Sequence, residues 1–157
     1  MSESSLIVEA HAPSMIGEVR SLLGEYAAVL GKDLCFRQFD AELANLPGEY
    51  APPAGRIYLA SVNNETAGCV ALRPMSPDAA EIKRLYVRPL FRGKGIGEAL
   101  VTRAIVEARV FGYRSVFLDT LPSMKSAIAL YRSLGFVDIA PYGSNPVKGA
   151  ICMKYEL

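Results

Sequence analysis

Residues 81–97 read EIKRLYVRPLFRGKGIG, and this stretch decides the fold. A strand-like run ends at Arg88-Pro89, a basic loop with glycine at every second position follows, and an amphipathic helix begins directly after it. The first N–H groups of a helix lack partners within the helix, and the aligned peptide dipoles leave partial positive charge there. The stretch therefore predicts a strand, an anion-binding loop and a helix N-terminus, with a polyphosphorylated ligand.

Two common phosphate-binding motifs do not fit this loop. The nucleoside triphosphatase motif needs Ser or Thr after its lysine, whereas Gly95 follows Lys94. The Rossmann dinucleotide fingerprint needs a third glycine at the position where Glu98 stands. Both functions are therefore disfavoured, and a pattern of glycines with positive side chains remains to be assigned.

The remaining pattern is Arg92-x-x-Gly95-x-Gly97, preceded by a strand ending in Leu85-Tyr86-Val87-Arg88-Pro89. It resembles the pyrophosphate loop of the GCN5-related N-acetyltransferase (GNAT) superfamily. A second segment, AIALYRSLGF at residues 127–136, resembles the family helix that ends in Tyr-x-x-x-Gly-Phe beside coenzyme A. The two segments stand in the family's order, and the resemblance extends over nearly the whole chain.

Length and composition limit the number of domains, the classes of partner and the cellular location that we expect. The chain has 157 residues, of which 51% are hydrophobic, and a net charge of +1, so we expect one domain spanning residues 1–157. Because the charge is balanced, the sequence shows no excess of positive charge that would favour binding to nucleic acid or to an anionic membrane. No apolar run approaches a membrane span, and the N-terminus lacks a signal-peptide pattern, so we expect a cytoplasmic protein. The 3 cysteines are widely spaced and predict no disulfide framework or metal site; Cys69 and Cys152 are expected to be buried.

Hydrophobic periodicity and turn residues predict the order β, α, α, three strands, α, β, α and two strands. The expected strands are Leu6–His11, Arg56–Val62, Thr66–Arg73, Glu81–Val87, Ser115–Leu118, Val137–Ala140 and Ala150–Leu157. The expected helices are Ser14–Leu30, Phe39–Leu46, Ile96–Phe111 and Ser123–Leu134, with loops at Pro74–Asp78, Asp119–Pro122 and Pro141–Pro146, and Ser123 as an N-cap.

This order predicts an α/β (α+β) fold with a mixed sheet and helices on both faces. The strand–helix–strand unit from Glu81 to Leu118 is expected to form a parallel crossover that places the loop at the strand's carboxyl end. The resemblance implies the mostly antiparallel acyl-CoA N-acyltransferase (GNAT) fold. Ile82 and Leu85 have opposite parity, so a bulge at residues 83–85 is needed for both to face one core, unless the strand is buried on both faces.

The resemblance implies acetyl transfer from acetyl-CoA to an amine, with Glu81 as general base, through water, and Tyr131 as general acid toward the thiolate. The other interpretation of Glu81 is that it binds a cationic substrate or pairs with an arginine, and the other interpretation of Tyr131 is packing. The backbone N–H of Leu85 would stabilise the oxyanion, and Val87 would pair with the pantetheine amides.

By the same resemblance, the cofactor-binding set comprises Leu85, Tyr86, Val87, Arg92, Gly93, Lys94, Gly95, Ile96, Gly97, Ser123, Ser126 and Tyr131. The family often has asparagine seven residues before the tyrosine, where this chain has Met124. Met124 lacks the amide's hydrogen-bonding groups. Ser123, Lys125 or Ser126 would then take over that role.

The acceptor is not identified by the sequence. The segment 32–55 is rich in proline and glycine and is expected to form the acceptor lid, with Arg37, Glu42 and Tyr50 as candidate contacts, or to be a simple connector. Arg73, Arg84 and Arg37 would suit a carboxylate-bearing acceptor, whereas Glu81 suits a cation. The alternative function is a non-catalytic acyl-CoA-binding sensor of the same fold, and a homodimer through the final strands is left open.

Overall fold

The computed structural model describes residues 5–30, 36–142 and 149–157, without the side chains of residues 30 and 36–38. The helices are α1 Pro13–Leu30, α2 Phe36–Ala44, α3 Ile96–Val110 and α4 Lys125–Leu134. The strands are β1 Ser5–Glu9, β2 Arg56–Val62, β3 Glu65–Ser76, β4 Ala79–Val87, β5 Ser115–Thr120, β6 Val137–Ile139 and β7 Ile151–Glu156. Single 3-10 turns lie at Gly48–Tyr50 and Pro89–Phe91. Cys35 and the side chain of Arg37 lie outside the described residues.

The strands form one sheet in the order β1-β2-β3-β4-β5-β7-β6. Every neighbouring pair is antiparallel except β4 and β5, which are parallel and are joined through α3. The predicted mixed, mostly antiparallel sheet and its parallel crossover are therefore confirmed. The β2–β3 hairpin turns through Asn63 and Asn64, both at positive φ, which asparagine tolerates better than most residues.

Each face of the sheet carries its own hydrophobic core. Leu100, Val101 and Ala104 of α3 are fully buried against one face, together with side chains of α4. Val19 and Leu22 of α1, with side chains of α2, cover the other face of β2, β3 and β4. Burying an aliphatic side chain of this size contributes about 1.5–3 kcal/mol to folding. Helices on both faces, as predicted, leave the strand ends to form the site.

A one-residue bulge interrupts β4. Between Lys83 and Tyr86, β4 has two residues where β3 has one, and Arg84 adopts φ +61°. The side chains of Ile82, Leu85 and Val87 consequently all join the α3/α4 core. The bulge predicted from side-chain parity is confirmed.

The parallel strands β4 and β5 separate at their carboxyl ends. Their pairing includes Glu81 opposite Phe117 and goes no further along the strands. Beyond this point β4 continues to Val87 through the bulge, while β5 continues to Thr120 paired with β7. An opening therefore lies between the two strands, on the side where the glycine loop follows β4.

Two predicted loops are shorter than expected. Residues 74–76 belong to β3, and only Pro77 and Asp78 turn the chain, because a register shift accommodates Pro74 opposite Ala80. Asp119 and Thr120 belong to β5, because they pair with β7. The sequence signals for turns were outweighed in both places by strand pairing.

The prediction that α4 begins at Ser123 with that residue as N-cap is wrong. The helix begins at Lys125, and its N-cap is Met124, which forms no side-chain capping hydrogen bond. The N–H of Met124 donates to the carbonyl of Leu121 at 2.9 Å. This turn delays the helix by two residues.

Cys69 and Cys152 are buried free thiols, as predicted. Burial raises the pKa of Cys69 to about 12, so its thiol stays neutral at physiological pH. Of the predicted loop Pro141–Pro146, only Pro141 and Tyr142 are among the described residues.

Replacing Gly135 with alanine is expected to lower the free energy of unfolding by about 1–2 kcal/mol. Gly135 ends α4 at φ +110°, and an added Cβ would lie 3.1 Å from the Tyr155 ring. The matched control is Gly17→Ala at an exposed position of α1, where an added Cβ meets nothing within 4 Å. This control should raise stability by about 0.5–1 kcal/mol. Urea titrations followed by circular dichroism measure both, and equal effects would contradict the conformational argument.

Candidate active site

The glycine loop between β4 and α3 has the backbone that an anion-binding loop needs. Gly93 and Gly95 both adopt φ +79°, and a Cβ at either position would meet nothing within 4 Å. The two glycines are therefore required by conformation, and their outer side is open. Arg92 and Lys94 are exposed on the same loop. Nε of Arg92 donates to the carbonyl of Val87 at 2.9 Å, which ties the loop to the end of β4.

The N-terminus of α3 begins at this loop. Gly95 is the N-cap, and the first helical backbone bond runs from the N–H of Ala99 to the Gly95 carbonyl at 3.0 Å. The N–H groups of residues 96–98 precede this ladder and point out of the helix end, where they favour an anion. The loop and helix end thus fit a pyrophosphate, as the sequence predicts.

Gly97 serves close packing and has no positive φ. An added Cβ would lie 3.4 Å from Leu130 of α4 and 3.8 Å from Val87 of β4. The missing side chain lets α3 approach both elements. The first turns of α3 and α4 are thereby set beside the opening between β4 and β5.

Helix α4 carries the predicted Tyr131 and the two predicted serines. Tyr131 is buried, with its ring 5.7 Å from that of Phe136. Burial raises the pKa of Tyr131, so its hydroxyl stays protonated at neutral pH. Ser123 and Ser126 are exposed near the beginning of the helix. The position of Tyr131 is compatible with either interpretation, proton donation or packing.

The predicted backbone contacts lie along β4. Leu85 is in the bulge, and its side chain packs in the α3/α4 core. Tyr86 faces the other way, and its hydroxyl donates to Glu25 of α1 at 3.2 Å. A ligand in the opening would therefore be reached by the backbone of these residues rather than by the Tyr86 ring.

Glu81 is buried and held on both carboxylate oxygens. Arg73 donates to Oε1 at 2.7 Å, and the hydroxyl of Tyr142 donates to Oε2 at 2.6 Å. Nζ of Lys83 lies 3.9 Å from Oε2, and the Glu81 side chain is only 5% exposed. The arginine pairing left open by the sequence is present. A buried carboxylate needs such partners, because an unpaired charge there is costly.

Lys83 and Asp119 face each other across the opening between β4 and β5. Nζ of Lys83 donates to Oδ1 of Asp119 at 3.1 Å, and the Asp119 side chain is 30% exposed. Sequence reasoning missed both Asp119 and Tyr142 as site residues. Asp119 was detectable as an acidic residue ending an apolar strand, whereas Tyr142 gave no local signal.

A cavity of about 420 Å³ lies beside this cluster. Its walls come from α2, the 47–50 segment, β3 and β4, and the predicted candidates Glu42, Tyr50, Arg73 and Arg84 line it. Arg84 forms two hydrogen bonds with Glu42, at 2.9 and 3.0 Å. The hydroxyl of Tyr50 is buried without a hydrogen-bond partner among the described residues. The segment expected to contact the acceptor does form one side of a pocket.

No cluster of three or more potential metal-ligating side chains occurs in residues 5–30, 36–142 and 149–157. In the same ranges, no helix combines the length and apolar character required to cross a membrane.

Comparison with known proteins agrees with this geometry. The acetyltransferase (GNAT) family model matches residues 18–136. An uncharacterised N-acetyltransferase of Schizosaccharomyces pombe is 39% identical and aligns over 100% of this chain and 98% of its own length. A similar protein of Dictyostelium discoideum, also an uncharacterised N-acetyltransferase, is 29% identical over 89% of this chain and 92% of its own length.

Solved structures show the same fold. An acetyltransferase of Streptococcus agalactiae superposes with a TM-score of 0.81 at 20% identity, covering 98% of each chain. A GNAT acetyltransferase of Elizabethkingia anophelis, solved with acetyl-CoA bound, has a TM-score of 0.71 at 25% identity and covers 99% of this chain and 100% of its own. Because the family model spans most of the chain and the S. pombe relative aligns throughout, this protein belongs to the acetyltransferase (GNAT) family and is an N-acetyltransferase.

Proposed function

We propose that the protein transfers the acetyl group of acetyl-CoA to a primary amine of a small molecule or protein by direct attack. The observation that carries the proposal is the glycine loop and helix N-terminus placed at the end of β4, where β4 separates from β5. The bound acetyl-CoA of the E. anophelis relative supports this choice of donor. Thiol release from acetyl-CoA in the presence of an amine panel tests it.

The donor's pyrophosphate would lie on the loop 92–97. Backbone N–H groups of Gly93, Lys94, Gly95, Ile96 and Gly97 and the positive side chains of Arg92 and Lys94 would hold it. Ser123, Ser126 and the first turn of α4 would meet the donor from the other side. The pantetheine arm would enter the opening, with backbone of Leu85, Tyr86 and Val87 along its edge.

The transfer replaces the C–S bond of the thioester with a C–N bond and moves one proton from nitrogen to sulfur. The amine nitrogen attacks the thioester carbon, the C–S bond breaks, and the leaving thiolate takes up a proton while the amine loses one. The backbone N–H of Leu85 would stabilise the oxyanion, a contribution of about 3 kcal/mol in comparable sites. The bulge supports this assignment, because it turns the β4 backbone away from regular pairing with β3.

Glu81 is proposed as the base that removes the amine's proton, through an intervening water. Most amines are protonated at neutral pH, so this step is required before attack. Arg73 and Tyr142 fix the carboxylate from two sides. A water in the adjacent cavity would bridge the acceptor and Oε2, the oxygen that Tyr142 already contacts.

Tyr131 is proposed as the acid that protonates the thiolate. Burial keeps its hydroxyl protonated, which a proton donor requires.

We further propose that the protein is a single cytoplasmic domain that acts without a metal or a nucleic acid or membrane partner. A homodimer is compatible with the exposed edge strand β6. A sensor without turnover is the alternative, and thiol release excludes it.

Gly95→Ala is expected to raise KM for acetyl-CoA about tenfold with a smaller change in kcat, because alanine resists φ +79° at the N-cap. The matched control is Gly112→Ala. Gly112 has φ +90° and open space around its Cβ but lies at the other end of α3. Steady-state thiol release measures both. Equal KM values for the two variants would contradict a cofactor role for the loop.

Glu81→Gln is expected to lower kcat by about 10²-fold, because glutamine cannot accept the proton. Tyr142→Phe is the companion variant, since it removes only the donor to Oε2 and keeps the carboxylate, and it should lower kcat less. Steady-state thiol release measures both variants. A wild-type kcat in Glu81→Gln would exclude this residue as the base.

Tyr131→Phe is expected to lower kcat by about 10- to 100-fold while leaving KM for acetyl-CoA within about twofold, because the ring still packs but no proton is donated. The raised pKa means that wild-type activity shows no loss from this group up to about pH 10, the ordinary tyrosine value. Rates measured from pH 6 to 10 test this. Full turnover of the variant across that range would leave Tyr131 a packing residue.

A further inference from the structure

We propose that the acceptor amine carries a carboxylate and that this carboxylate binds Arg73 in place of the side chain of Glu49. The inference rests on the proposed function and assigns the substrate class of the same site. The carboxylate of Glu49 occupies the position on Arg73 that the acceptor's carboxylate would take. The acceptor would then be an amino acid or a similar small amino carboxylate.

Arg73 has two different edges. Its Nε and Nη2 hold Oε1 of Glu81, whose side chain is 5% exposed. Its Nη1 faces outward and contacts the carboxylate of Glu49, whose side chain is 69% exposed. The inner edge is therefore committed to a buried partner, whereas the outer edge is occupied by a carboxylate at the rim of the cavity.

The outer partner is exchangeable for an energetic reason. Exposed ion pairs contribute little, because their attraction is weak and screened in water and because pairing immobilises two long side chains. Glu49 lies in the short 3-10 turn Gly48–Tyr50, so its side chain can turn to solvent without disrupting an α-helix or a strand. A ligand carboxylate would replace it on the same guanidinium edge, with the same planar geometry.

The other cations of the cavity wall are less available. Arg84 is bound by two hydrogen bonds to Glu42, and the two side chains are only 15% and 19% exposed. Lys83 donates to Asp119 and lies 3.9 Å from Glu81. Among the described residues that line the cavity, Arg73 is the cation whose partner is mostly in solvent.

The remaining charges suit the amine end of such a molecule. Lys83 lines the cavity, and the carboxylates of Glu81 and Asp119 lie 3.9 and 3.1 Å from its Nζ, near the opening between β4 and β5. A cationic amine would be attracted there before it loses its proton. The cavity volume of about 420 Å³ suits a small molecule. One end of the site thus matches a carboxylate and the other an ammonium group.

The test compares each proteinogenic L-amino acid with its own carboxamide as acceptor, in wild type, Glu49→Gln and Glu49→Ala. The matched control is Glu65→Gln, an exposed glutamate at the β2–β3 turn. Thiol release gives KM and kcat. Amino acids and their carboxamides differ in the pKa of the amine. For each acceptor separately, KM and kcat of the variant are therefore divided by the wild-type values, and these ratios are compared.

We expect both Glu49 variants to lower KM for carboxylate acceptors by about two- to fivefold, the range for losing an exposed competing ion pair. KM for carboxamides and all kcat values should stay within about 1.5-fold, and Glu65→Gln should change nothing. Unchanged or raised KM for the acids, or equal shifts for acids and amides, would overturn the carboxylate assignment while leaving acetyl transfer intact. Absence of amine-dependent thiol release would overturn the proposed function, and the inference with it.

Discussion

The bulge in β4 is the constraint on which the site depends. Arg84 sits there at φ +61°, a conformation that costs a non-glycine residue about 1–3 kcal/mol. Its side chain compensates through two hydrogen bonds to Glu42 and a contact 4.9 Å above the Phe39 ring. Helix α2 therefore fixes the strained residue, which lies in the part of β4 that no longer pairs with β5.

The bulge also divides β4 by function. Before it, Lys83 lines the cavity and donates to Asp119 of β5. After it, Val87 faces α3, packs near Gly97 and accepts a hydrogen bond from Arg92. One extra residue thus lets a single strand supply charged groups to one face and support the glycine loop on the other. Without the extra residue, the side chains of Leu85 and Val87 would not both face the α3/α4 core together with Ile82.

The fold and the donor loop were predictable because their signals are local. Positive φ at Gly93 and Gly95 follows from residue type, and the bulge follows from the parity of Ile82 and Leu85. The first residue of α4 was missed, because the turn from Leu121 to Met124 competes with the serine cap. The strand end at Ser76 was missed because Ser76 pairs with Ala79 across a tight turn, and the strand end at Thr120 was missed because Thr120 pairs with Ile151, far along the chain.

The partners of Glu81 were least predictable, since they come from separate parts of the chain. Arg73 comes from β3, and Tyr142 follows β6, sixty-one residues after the carboxylate it contacts. No periodicity links such positions, whereas burial energetics require that some donors be there. A carboxylate that is 5% exposed would otherwise be a buried charge without a partner, which is energetically costly. Arg73 pairs with Glu81 through Nε and Nη2 alone. Its Nη1 is therefore left for a partner that lies largely in solvent, which is Glu49 in this structure. The pairing of the buried carboxylate thus determines which position at the cavity rim can exchange its partner.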